Sequence, residues 1–151
     1  MKVNKIIIAM PTEEDFMPSI SHWGHDFNWN KCEAHFVHVV RKDFEVSEMT
    51  VVQIPDTKTF EQHKPSYIDF FKKKAHEMMP KKVFENAHFE VFCDQSPAER
   101  IVKYAKEIDA DMIVVATRHK KGIVGFFTSS FADRMLELSP ADVLVLRPKK
   151  M

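Results

Sequence analysis

Five short runs of apolar, largely β-branched residues recur along this chain, at Lys5 to Met10, Ala34 to Val40, His88 to Cys93, Met112 to Ala116 and Asp142 to Leu146. Most are separated by stretches with helical spacing, and this alternation restricts the fold more than any other feature. Runs that are apolar throughout, rather than at every second position, are the mark of strands buried on both faces. Strands joined by helices imply right-handed crossovers and a parallel sheet covered on both sides. The expectation is a doubly wound α/β fold with five parallel strands. A chain of 151 residues fits one such domain, spanning 1–151, and is long enough to bury a core without disulfides or metals.

The clearest helix begins at Ser96-Pro97-Ala98-Glu99, which combines an N-cap serine, a proline at the first helical position and a glutamate placed to close a capping box. It ends near Ile108 and carries one stripe: Ile101, Tyr104, Ala105 and Ile108. Ile20, Trp23, Gly24 and Phe27 suggest an earlier helix, with Pro18 in its first turn. Tyr67, Phe70, Phe71, Ala75 and Met78 suggest another, bounded by Pro65 and Pro80. A last helix starts at Ser129 or Ser130, buries Phe131, Met135 and Leu138, and stops at Pro140. The stretch from Arg41 to Lys64 reads as a long connection holding a short apolar patch at Thr50 to Ile54.

Lys+Arg and Asp+Glu both number 22, which disfavours a broadly basic surface for nucleic acid and predicts that any charge-driven binding is local. The longest apolar runs are strand-sized and the first follows Met1-Lys2 closely, which predicts a cytoplasmic protein with no membrane association. Cys32 and Cys93 lie far apart outside any C-x-x-C pattern and are read as reduced thiols.

In order, Lys5-Ile6-Ile7-Ile8-Ala9-Met10, Ala34 to Val40, Ser96 to Ile101, Ala110 to Val115, Arg118 to Arg134 and Ser139 to Arg147 resemble the universal stress protein family nearly end to end. The likeness is weakest between Arg41 and Pro80. It implies that family's adenine nucleotide α-hydrolase-like fold. It also implies a homodimer paired through the final strand, at Val143, Leu144, Val145 and Leu146.

Nucleotide-binding members of the family carry G-x2-G-x9-G-[ST] after the fourth strand. Bare backbone there lets phosphates approach and adopts positive φ, and the next helix presents its N–H groups to the anion. The glycine positions fall here on Ala116, His119 and Ser129, and Ser130 alone keeps the hydroxyl. Pro11 stands where relatives carry an acidic residue that helps hold the adenosine; the adenosine-side positions are Met10, Pro11 and Val39. These departures argue against tight ATP binding of the usual kind. Thr117, Arg118, His119, Lys120 and Lys121 nevertheless lead toward a helix N-terminus, which leaves an altered nucleotide or phosphate site as the alternative to a solvated basic turn. Gly122 and Gly125 are either flexible elements of such a loop or plain turn residues, and Phe126-Phe127 are core residues or a cleft cover.

Three function classes follow. The first is a stress-linked dimeric interaction or sensing module with no cofactor beyond weak nucleotide or phosphate and with an unidentified protein partner. The second is a nucleotide sensor for ATP or AMP, and the third is a nucleotidylyltransferase. The third rests on His22-Trp23-Gly24-His25, an H-x-G-H sequence, with Ser129-Ser130 and Arg134 as a faint second signature. Too few residues separate His25 from the second strand for the motif to open the first helix, so it belongs at the helix's far end, away from the strand C-termini where ligands bind. No catalytic residue and no metal site is assigned: His22 and His25 lack completing ligands, and His35 and His38 fall on opposite faces of a strand. Glu13, Glu14 and Asp15 read as a favourable first helical turn.

Overall fold

The computed structural model describes residues 3–42, 45–47, 50–52, 57–117 and 129–148. Its strands are β1 (Lys5–Ala9), β2 (Glu33–Arg41), β3 (Glu45–Ser47), β4 (Thr50–Val52), β5 (Ala87–Asp94), β6 (Met112–Ala116) and β7 (Asp142–Leu146), and its helices are α1 (Met17–Asp26), α2 (Thr57–Met78), α3 (Pro97–Ile108) and α4 (Ser129–Leu138). The main sheet is all parallel in the order β5-β2-β1-β6-β7. The five apolar runs are its five strands, each within a residue or so of the expected bounds.

Successive side chains of β1 point to opposite faces, and all three isoleucines are fully buried. Ile6 and Ile8 join Ile20 of α1 and Phe71, Ala75 and Met78 of α2. Ile7 joins Ile101, Val102 and Ala105 of α3 and Ala132 and Met135 of α4. Burial of each such side chain contributes about 1.5–3 kcal/mol, and because no face of β1 is wet, the apolar run is continuous.

Three local readings need correction. The stretch from Arg41 to Lys64 is more than a connection: β3 and β4 pair as an antiparallel hairpin, and α2 already begins at Thr57. Pro65 therefore lies inside α2 instead of bounding it. A mid-helix proline costs about 3 kcal/mol, and packing on both sides of it offsets this loss: Phe60 is buried and stacks at 6.2 Å on Tyr67. The capping box at α3 is only half formed. Ser96 accepts from the Glu99 N–H, but the Ser96 N–H donates to Asp94 Oδ1 at 3.0 Å, and the Glu99 carboxylate takes Arg134 of α4 at 2.8 Å.

Cys32 is buried, Cys93 half-buried, and both are free thiols. Burial pushes the Cys32 thiol up to about 11, so it stays protonated. Among the described residues no helix is long and apolar enough to cross a membrane.

Candidate functional site

The chain runs outward from β1 through β2 to β5, then returns to the other side of β1 for β6 and β7. Connections after β1 and β6 therefore leave in opposite directions, and a crevice opens outside their C-terminal ends. A cavity of about 370 Å³ lies at this end of the sheet, within the range of small-molecule sites.

Ala9, Met10 and Pro11 line it from the end of β1, Val37, His38 and Val39 from β2, and Val115 and Ala116 from β6. Pro97 and Ile101 of α3, Phe131 of α4, and Glu13 and Phe16 before α1 complete it. Most of this lining is aliphatic or aromatic, and Glu13 and His38 are its ionisable residues. His38 Nδ1 lies 2.7 Å from the Met10 carbonyl. A carbonyl only accepts, so Nδ1 carries the proton and Nε2 of the neutral ring is an acceptor. Desolvation holds the His38 pKa below its ordinary value, outweighing the Met10 bond, which favours the neutral ring near pH 7.

All three adenosine-side positions, Met10, Pro11 and Val39, and the first former glycine position, Ala116, meet in this cavity. Thr117 is directed elsewhere: its N–H and its hydroxyl both donate to the Leu146 carbonyl, at 2.8 and 3.2 Å. Arg118, His119, Lys120 and Lys121, together with Gly122, Gly125, Phe126 and Phe127, lie outside the described residues. Ser129 and Ser130 form the first turn of α4. The α3 end at the cavity has little to offer an anion, because Pro97 has no N–H and Ser96 already caps Glu99.

Sequence reasoning missed Glu13, His38, Ile101 and Phe131 as wall residues. Glu13 could have been found by counting: two residues beyond Pro11, it lies within reach of the place where Pro11 lacks a carboxylate. His35 and His38 point to opposite faces of β2, as their odd spacing predicts. His35 reaches Tyr104 of α3 at 2.7 Å, while His38 packs on Phe71 of α2.

The H-x-G-H sequence occupies the last turns of α1, remote from the cavity, as its spacing predicted. His22 and Gly24 have structural partners. His22 pairs with Asp26 at 3.5 Å, and the Gly24 carbonyl accepts from Trp29 Nε1 at 2.7 Å. A Cβ on Gly24 would come within 2.4 Å of the Met79 sulfur, so the glycine admits close packing of α1 on the end of α2. Arg134, the faint second signature, binds Glu99 and Glu137.

A sequence model described as the universal stress protein family matches residues 22–147. The chain belongs to that family. No curated protein sequence matches it. Among solved structures, the universal stress protein UspA from Lactobacillus plantarum superposes with a TM-score of 0.66 at 13% identity, covering 97% of this chain and 99% of that one. A universal stress protein family protein from Arabidopsis thaliana with AMP bound gives 0.58 at 14% identity, covering 97% and 92%. The universal stress protein from Archaeoglobus fulgidus in complex with dAMP gives 0.56 at 14%, covering 97% and 99%. At these identities the likeness establishes this universal stress protein's fold, and its site has to be argued from its own residues.

Proposed function

We propose that this universal stress protein is a non-catalytic, dimeric sensing module whose cavity takes the adenosine end of an adenine nucleotide without the tight triphosphate hold of the glycine-rich loop. The carrying observation is a mismatch within one cavity. Its apolar walls and its place at the strand C-termini suit a flat heterocycle, whereas Ala116 puts a methyl group where nucleotide-binding relatives keep bare backbone. His38 Nε2 is a hydrogen-bond acceptor for an amino group, and Glu13 is a carboxylate for ribose hydroxyls. The AMP and dAMP bound by relatives of the same fold support a monophosphate-sized ligand.

Calorimetry with adenosine, AMP and ATP tests this reading. Adenosine and AMP are expected to bind, with ATP no more than about threefold tighter than AMP, since a loop lacking its glycines adds little. ATP binding ten times tighter than AMP, a difference of about 1.4 kcal/mol, would restore the phosphate loop and overturn the proposal. No binding by any of the three would leave a module that works by protein contact alone.

The dimer rests on β7. It is an edge strand of the sheet, and Val143, Leu144, Val145 and Leu146 are all half-buried in the single chain. An apolar edge of this kind is a template for antiparallel pairing with a second copy.

A further inference from the structure

We propose that Glu33, His35 and His88 form a binding site for one divalent transition metal ion of the zinc class, at the opposite end of the sheet from the cavity. Glu33 and His35 are two apart on β2 and share a face. The parallel register sets His88 of β5 directly beside His35. Three ligand atoms converge there, all within 4.8 Å of one another. Glu33 Oε1 lies 2.6 Å from His35 Nε2 and 3.3 Å from His88 Nε2. A tetrahedral ion with bonds of about 2.0–2.1 Å spaces its ligand atoms roughly 3.3 Å apart. Of the two carboxylate–imidazole separations, one is already that of a bound ion and the other needs to open by less than an ångström, while the two imidazole nitrogens lie within 4.8 Å of each other and have to draw together.

Two imidazoles and one carboxylate form the donor set that borderline divalent ions favour, and they leave a fourth position for solvent. His35 has the outer support that metal-binding histidines use, because its Nδ1 lies 2.7 Å from the Tyr104 hydroxyl. Without metal, Nε2–H donates to Glu33 and Nδ1 accepts from the phenol. With metal on Nε2, the ring's single proton sits on Nδ1 and donates to the Tyr104 oxygen, so the ring stays neutral, keeps its Tyr104 contact and exchanges its hydrogen bond to Glu33 for a shared bond to the ion. Exposure sets the route of entry: the His35 side chain is 5% exposed and that of His88, on the edge strand β5, is 49% exposed. The His88 ring stacks on the His35 ring at 4.5 Å, and binding requires it to rotate so that both Nε2 atoms face one ion. Lys5, on the neighbouring strand, keeps its ammonium on the Ile108 carbonyl at 2.9 Å.

The test is titration of the full chain, stripped with chelator, with cobalt(II) followed by displacement with zinc(II). One cobalt per chain is expected, with the visible bands of a four- or five-coordinate ion, and zinc should abolish them. His88→Gln and Glu33→Gln should each weaken binding at least tenfold, Tyr104→Phe about 10- to 100-fold through loss of the outer contact, and His22→Gln not at all. Because His88 is half exposed, His88→Gln keeps its fold, which circular dichroism checks. Absence of saturable binding in the wild-type chain, or wild-type affinity in folded His88→Gln, overturns the site.

Discussion

His38 donates its Nδ1 proton to the Met10 carbonyl across 2.7 Å, joining β2 to the residue that follows β1 at the wall of the cavity. The bond ties a titratable ring to the site's geometry, so protonation bears on stability. An unfolded histidine titrates near 6.5, and desolvation lowers the folded value below that. As pH falls through about 6.5, the unfolded chain takes up a proton that the folded one resists, and stability drops until the lower folded pKa is passed. His38's stabilising share is therefore complete above about pH 6.5 and lost below it. His38→Asn keeps a donor for Met10 but cannot titrate. Urea unfolding from about pH 7.5 to about pH 5.5 should show the wild type losing more stability than His38→Asn. Parallel losses would remove His38 from the acid response.

Glu13 is expected to read the ribose. In Glu13→Gln, adenosine affinity should fall about tenfold, as for loss of a hydrogen bond to a charged acceptor, while free adenine binds as before. Equal weakening of adenosine and adenine in a calorimetric comparison would place Glu13's effect on the cavity's shape instead.

Restoring the glycines should restore phosphate recognition. The triple change Ala116→Gly, His119→Gly and Ser129→Gly returns bare backbone to the three loop positions, and ATP is expected to gain at least tenfold over AMP. An unchanged ATP-to-AMP ratio would mean that side-chain bulk is not what limits the triphosphate.

The edge of β7 offers a clean test of the dimer. The Leu146 carbonyl accepts from Thr117, so Leu146 faces β6 and, by alternation along the strand, the Val145 backbone faces outward. Val145→Pro removes that outward N–H without touching the ladder to β6. Sedimentation should give a dimer for the wild type and a monomer for the variant; a wild-type monomer at micromolar concentration, or a dimeric variant, would move the interface elsewhere.

Much of this architecture was legible because its causes are local. Continuous apolar runs gave away the strands, and Ser96 with Pro97 announced the start of α3. Pro65 misled because a helix breaker is a statement about isolated helices, and Phe60 and Tyr67 pack across it. The spacing predicts Glu99 as a cap because residues three apart meet at a helix start, yet Arg134, distant in sequence, competes for the same carboxylate and holds it.

The sequence by itself determined the five strands of the main sheet, most helix starts and stops, the two-sided burial of β1, the far-end position of His22 to His25 and the loss of loop glycines. Each depends on side-chain type and on distances of a few residues. Only the tertiary structure decided that Glu13 and His38 share a cavity with Met10 and Ala116, and that His88 stands beside His35. Strand order and register bring those residues together, and both depend on matching the buried faces of strands far apart in the chain, which no short stretch encodes.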